Sequence, residues 1–290
     1  MNIGVVGGGA VGLLTASYLI EMGHKVTLYV RSETQAVHIR EFGGSRDRKQ
    51  FYVDEVRVST NFKDEDFMML CVKTIALEEV LSSIIEQAPN TPLLFLCNGM
   101  AHIRMMEELT QPVYAGVVEH GVLRTGIGSV VHRGVGRIRF APVNELDQRF
   151  IQQLVGNEMK CFKFEQSEDY RSLLTEKLIV NATVNPLTAL FKVKNGQLLN
   201  SPHLHQLARM VCEECCGILG VSMDSMWTYV QSVIRQTANN ESSMLKDIRH
   251  ERKTELDAIT GYLCAEAAAK GFPSPINTFL YNAIKELELN

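Results

Sequence analysis

Apolar and polar positions along the chain change their period several times, and each change predicts an element. Asn2–Val6 is a short, almost wholly apolar run, and Ala10–Met22 carries apolar residues at helical spacing. A second apolar run, Lys25–Val30, ends at Arg31. The alternation then recurs. Phe67–Val72 reads as a strand, Ala76–Gln87 as a helix, and Pro92–Leu96 as a strand that stops at Asn98-Gly99. Strands alternating with helices in this way predict a parallel sheet with crossover helices, whose strands are buried on both faces. From Val113 to Phe164 the texture shifts to short β-rich pieces such as Ser129–His132 and Arg137–Phe140, punctuated by glycines. These predict antiparallel strands or edge additions that complete the sheet. From Tyr170 onward the pattern is almost wholly helical, opening with a long apolar helix over Ser172–Phe191. A chain of 290 residues suggests two domains. The expected architecture is α/β, with a sheet domain over residues 1–167 and an all-helical domain over 168–290.

The turn after the first strand brings in chemistry. Gly7, Gly8, Gly9, Ala10, Val11 and Gly12 spell Gly-x-Gly-x-x-Gly between a strand and an apolar helix, the context that makes this pattern a dinucleotide fingerprint. Gly7 permits the tight turn, Gly9 lets the backbone approach a pyrophosphate, and Gly12 lets helix and strand pack closely. Exposed N–H groups and the helix dipole then stabilise the phosphate charge. The sheet domain is therefore expected to be of the Rossmann type. An NAD site usually has Asp or Glu at the end of the second strand, to bond the ribose 2′-hydroxyl. Here Arg31 stands there, and a guanidinium pairs with a 2′-phosphate. Lys73, at the end of a later strand, reaches the same edge. NADP(H) is the expected cofactor.

Composition narrows the class without changing it. Hydrophobic residues make up 46% and charged residues 21%, as in a globular protein, and the net charge of −4 supplies no field to attract nucleic acid or an anionic membrane. No apolar stretch reaches the roughly 18 residues of a bilayer span, and the N-terminus enters a strand without a leader pattern. Seven scattered cysteines do not form a disulfide framework. Cys212, Cys215 and Cys216 lack a second ligand pair at zinc-like spacing, so they read as core, and no metal is expected. A cytoplasmic, reduced protein is expected.

The helical half carries a few placed polar groups. Lys177, Asn181 and Asn185 recur every four residues and line one stripe of an otherwise apolar helix, with Thr188 beyond them. By periodicity alone, the stripe is either functional or a set of asparagines bonded to one another and to a neighbouring helix. Further on, Thr254 and Asp257 have capping-box spacing, which puts Glu255 in the first turn of a new helix. A break near His250–Lys253 would let Ser243 and Glu255 face one cleft. Ser243 as a plain N-cap and Glu255 as a dipole-favoured surface residue is the blander alternative.

Taken together, these segments resemble the ketopantoate reductase family. The likeness runs through Gly7–Gly12, Cys71-Val72-Lys73-Thr74, Asn98-Gly99-Met100, Glu176–Asn181, Asn185–Leu190, Asn195-Gly196, Ser242–Asp247 and Thr254–Asp257, in order, across nearly the whole chain. It implies NADPH-dependent reduction of 2-dehydropantoate to (R)-pantoate in pantothenate and coenzyme A biosynthesis. It also implies that Lys177 is the general acid and that Glu255, Asn181, Asn185 and Ser243 bind the substrate. Asn98 lies beside both nicotinamide and substrate on this reading. The implied partner is a small 2-keto acid. Apolar residues of the last helices would serve the core or a homodimer interface equally well. A reductase for another 2-keto acid, or a protein that binds NADP(H) without chemistry, are the alternatives. If Arg31 reads the 2′-phosphate, Arg31→Ala should raise KM for NADPH far more than for NADH; equal effects in steady-state kinetics would exclude that role.

Overall fold

The computed structural model describes residues 1–144, 152, 154, 155 and 159–289. Of the expected β-rich stretch, residues 145–151, 153 and 156–158 lie outside the described residues, as does Asn290 at the end of the expected helical domain. Two compact units share the chain: Met1–Cys97 with His102–Leu173, and Asn98–Ala101 with Leu174–Asn290. The division departs from a single boundary near residue 167, because four residues after Cys97 pack with the helical half.

In the first unit, β1 (Asn2–Val6) sits between β2 (Lys25–Val30) and β6 (Phe67–Leu70), and β5 (Glu55–Val58) extends the β2 side. On the β6 side follow β7 (Leu93–Phe95) and β8 (Val113–Val118), and all these neighbours pair in parallel. This is the strand order of a Rossmann-type sheet. Growth reverses direction at β1, and ligands of such sheets bind outside the carboxyl ends of the strands at that reversal. The apolar runs behave as anticipated: every residue of β6 and β7 is buried. Helices α1 (Ala10–Glu21), α2 (Glu33–Phe42) and α3 (Leu77–Gln87) follow β1, β2 and β6 at the positions of the crossovers, and the short α4 (Ile103–Glu107) follows β7.

The β-rich stretch divides its strands between two sheets. β11 (Ile138–Pro142) pairs antiparallel with β8, and β12 (Phe164–Gln166) pairs with β11, so these are the edge additions the sequence suggests. The piece at Ser129–His132 is different, and that expectation is corrected. It lies in β10 (Ser129–Gly134), which joins β9 (Gly121–Arg124), β3 (Gly44–Arg46) and β4 (Lys49–Phe51) in a separate four-stranded sheet.

A part-buried polar chain links that small sheet to α1. The Gly136 N–H donates to His120 Nδ1 at 3.1 Å, so this nitrogen carries no proton. His132 Nε2 lies 3.1 Å from the same nitrogen and His132 Nδ1 lies 2.8 Å from the Tyr18 hydroxyl, a pairing that a neutral His132 protonated on Nε2 satisfies. His120 and Tyr18 both stack on Phe162. The Gly136 contact requires a neutral His120.

The second unit is helical apart from Asn98–Ala101. It contains most of α5 (Tyr170–Phe191), then α6 (Gln197–Asn200), α7 (Pro202–Leu219), α8 (Met223–Gln236) and α9 (Ser243–Arg249). A π-turn, Asp257–Gly261, runs into α10 (Tyr262–Lys270), and α11 (Pro275–Leu289) follows. Ala189, Met244, Leu245, Leu256 and Ile284 form one core cluster. Cys212, Cys215 and Cys216 are buried in α7 as free thiols, and burial pushes Cys215 up to about 12. Among the described residues no group of His, Cys, Asp and Glu could hold a metal ion, and no helix is long and apolar enough to cross a membrane.

Four histidines resist protonation in the fold. Burial lowers His24 and His132, and pushes His102 and His120 down to about 4. His102 is 0% exposed, and neither ring nitrogen has a partner among the described residues. Below the ordinary histidine value of 6.5 the unfolded chain takes up protons that the folded chain refuses, so stability falls as pH drops from about 6.5 toward 4. We expect His102→Leu to flatten this slope in melting temperatures taken from pH 7.5 to 4.5; an unchanged slope would contradict the assignment.

Candidate active site

The phosphate-binding turn is built from steric necessity. Gly7 has φ +115, and a Cβ there would lie 2.9 Å from the Cys71 carbonyl oxygen. Its N–H donates to the Tyr29 carbonyl at 2.8 Å, which ties the turn to β2. A Cβ at Gly12 would stand 1.8 Å from the Gly7 carbonyl oxygen, so the approach of α1 to the turn excludes any side chain. At Gly9, the N-cap of α1, a Cβ would meet nothing within 4 Å. No side chain caps α1 and its first turn has no acidic residue, so its leading N–H groups suit an anion. Ala10 and Val11 are half-buried in that first turn. These features fit a dinucleotide pyrophosphate.

The two cations stand where the sheet order requires. Arg31 is exposed immediately after β2, and Lys73 is exposed shortly after β6. The register aligns Val6 of β1 with Tyr29 and with Leu70, which puts Arg31, Lys73 and the glycine turn at one carboxyl edge.

In the second unit, Lys177, Asn181 and Asn185 share one stripe of α5, the first two half-buried and Asn185 only 7% exposed. Pro186 lies inside the helix, which continues through it to Phe191. Neither asparagine carboxamide has a hydrogen-bond partner among the described residues. The asparagine-to-asparagine pairing that periodicity left open is thus not what holds them. Thr188 is spoken for: its hydroxyl donates to Ser242 Oγ at 2.7 Å.

Ser242, not Ser243, is the N-cap of α9, accepting from the Leu245 N–H at 3.1 Å. Ser243 is exposed at the first helical position. The expected break follows, since α9 ends at Arg249 and Glu251 has φ +52. The capping box is also corrected. The Thr254 N–H and hydroxyl both donate to Glu288 Oε1, at 2.8 and 2.7 Å. Asp257 instead accepts from the Tyr281 hydroxyl and Lys285, at 2.8 and 2.9 Å. Burial works to raise its carboxyl, but these two partners hold it below the usual range.

Glu255 lies between these two anchors and meets a residue from far up the chain. Asn98 Nδ2 donates to Glu255 Oε2 at 2.7 Å. The backbone enforces the meeting. Gly99 has φ +81, and a Cβ on it would stand 2.1 Å from the Ala258 carbonyl oxygen. The Met100 N–H donates to that same oxygen at 3.3 Å, and Met100 Sδ accepts from Thr175 Oγ1 of α5 at 3.9 Å. The Asn98–Met100 turn is therefore seated against α5 at Thr175, two residues before Lys177, and against the π-turn at Ala258. Asn195-Gly196 is placed structurally: the Gly196 N–H donates to Ala238 O at 3.0 Å, and Asn195 Nδ2 donates to Thr237 Oγ1 at 3.0 Å. Glu288, Ser242 and Gln35, which touches the glycine turn, escape sequence reasoning because each acts across a long sequence gap or beside a more conspicuous neighbour.

Comparison with known proteins shows the family to which the chain is similar. The family model described as "Ketopantoate reductase PanE/ApbA" matches residues 3–145, and its C-terminal counterpart matches residues 169–288. The 2-dehydropantoate 2-reductase of Bacillus subtilis is 39% identical over 295 residues, covering 100% of this chain and 98% of the relative. That of Escherichia coli O157:H7 is 30% identical, covering 99% and 95%. The crystal structure of a probable 2-dehydropantoate 2-reductase from Bacillus subtilis superposes with a TM-score of 0.89 at 38% identity, covering 99% of this chain and 100% of that one. A D-mandelate dehydrogenase has the same fold, with a TM-score of 0.90 at 22% identity. The chain belongs to the ketopantoate reductase family. It is an oxidoreductase, and its cofactor is a pyridine nucleotide.

The glycine geometry yields a paired expectation. Gly12→Ala should lower the melting temperature by several degrees, because helix and turn must separate. Gly9→Ala should leave it unchanged yet weaken nucleotide binding in a fluorescence titration. If both variants lost stability alike, the open space at Gly9 would not be a ligand site.

Proposed function

We propose that the protein reduces 2-dehydropantoate (ketopantoate) to (R)-pantoate with NADPH, in the cytoplasm, as a step toward pantothenate and coenzyme A. The observation that carries this reading is the Asn98–Glu255 bond, which joins two of the expected site residues in the unit whose α5 bears Lys177. The domain over residues 1–167 would hold the nucleotide, with Arg31 and Lys73 at the 2′-phosphate and Gly7–Gly12 at the pyrophosphate. The domain over 168–290 would hold the substrate.

A nicotinamide held by the first domain would supply hydride chemistry toward the 2-keto carbon, for which the ketone oxygen would need stabilisation of negative charge. Lys177, as an ammonium group within reach, would stabilise that charge and deliver the proton. Asn181 and Asn185 offer amide N–H donors suited to a carboxylate or carbonyl, and the exposed Ser243 hydroxyl offers another. Glu255 would accept a hydrogen bond from the substrate's primary hydroxyl, and Asn98 would steady that carboxylate while facing the reacting groups. The seven free thiols support a reducing compartment.

One experiment separates the roles. Lys177→Ala should lower kcat by about a hundredfold or more while nucleotide still binds. Glu255→Ala should cut kcat/KM for ketopantoate by about one to two decades, and by much less for 2-ketoisovalerate, which lacks the hydroxyl. Equal losses on the two substrates would exclude the hydroxyl contact, and a Lys177→Ala variant with most of its kcat would exclude the general acid.

A further inference from the structure

Gln35 lies in the first turn of α2, away from every motif, yet its side chain ends on the phosphate-binding turn. Its Nε2 donates to the Gly8 carbonyl at 2.8 Å and to the Ile127 carbonyl at 2.8 Å. A carboxamide nitrogen has two N–H groups, so both are used, and the reverse orientation would set an oxygen against two carbonyl oxygens. Three further bonds hold this arrangement in place. Ser32 Oγ accepts from the Gln35 N–H at 3.3 Å, fixing the start of α2. The Arg124 guanidinium donates to the Gly126 and Ile127 carbonyls at 2.9 and 3.0 Å, fixing the turn between β9 and β10.

The consequence lies in the Gly8–Gly9 peptide. No peptide bond among the described residues is cis, and across a trans peptide the C=O and the next N–H point in opposite directions. Holding the Gly8 carbonyl toward α2 therefore aims the Gly9 N–H away from α2, at the head of α1. With glycine on both sides of it, this peptide would otherwise rotate at little steric cost. Rotation would present a carbonyl oxygen in place of an N–H donor.

We infer that Gln35 is a positioning residue for pyrophosphate binding: it locks the Gly8–Gly9 peptide in the orientation that offers the Gly9 N–H to an anion. The inference rests on the reading of this turn as a nucleotide site. Gln35 touches neither nucleotide nor substrate in this role, and it does not discriminate NADPH from NADH, since both carry the pyrophosphate.

Calorimetric titration of two ligand fragments tests it. ADP-ribose carries the pyrophosphate, whereas 2′-AMP has only the 2′-phosphate that Arg31 would read. Gln35→Met keeps the length and removes both donors; it should weaken ADP-ribose about tenfold and leave 2′-AMP within about twofold of the unaltered protein. Gln35→Glu, nearly isosteric, puts a carboxylate against the two carbonyls and should weaken ADP-ribose further. If Gln35→Met fails to fold, Gln35→Glu carries the same comparison. Undiminished ADP-ribose affinity in both variants, or an equal loss of both ligands, overturns the role of Gln35. Failure of the unaltered protein to bind either fragment would instead remove the nucleotide reading on which it rests.

Discussion

The contact on which the helical unit's candidate site depends is a backbone one: the Asn98–Met100 turn laid against the Ala258 carbonyl. Gly99 comes so close that no residue with a Cβ could take its place, and its positive φ is a conformation glycine adopts freely. The helix beneath is locally a π-turn, a distortion often found at functional sites. Because the turn is seated there, Asn98 reaches Glu255 despite a separation of 157 residues. A side-chain hydrogen bond alone is worth about 1 kcal/mol and would be a poor anchor. Here the main chain does the anchoring, and the side-chain bond follows from it.

The segment bearing Glu255 is fastened on both sides by the last helix. Glu288 accepts two donors from Thr254, while Tyr281 and Lys285 bind Asp257. Lys285 also lies 3.5 Å from Glu288, so the two fastenings share one cation. Exposed pairs of this kind add little stability singly. Their value lies in fixing the direction of a short irregular stretch between α9 and the π-turn, where no helical hydrogen bonds would otherwise do so.

Much of this was legible in the sequence because burial and period are local signals. The apolar runs of β1, β2, β6 and β7 announced a parallel sheet, and the glycine turn between strand and helix announced its ligand edge. The small sheet was not legible. Its β3–β4 hairpin turns at Asp47 and Arg48, with φ +52 and +71, and no glycine sits at the turn itself to signal it. β10 reads like any edge strand, and nothing in its own residues says that β3 would be its partner. In the helical half the Lys177–Asn185 stripe followed from spacing. The choice of Ser242 over Ser243 as cap depends on Thr188, and the Thr254 partner depends on Glu288, both reached only by folding. The family resemblance supplied the proposed roles that spacing left open.

The buried cysteines give the two units separate clocks. Cys97 is in the first unit, and Cys212, Cys215 and Cys216 are in α7 of the second, each no more than 5% exposed. A thiol reacts as its thiolate, and a shielded thiol held near 12, like Cys215, is doubly protected. An alkylating agent can modify these sulfurs only when the surrounding structure opens. The order in which they are labelled over hours under native conditions, read by mass spectrometry, would rank the opening rates of the sheet unit and the helical unit within one undivided polypeptide.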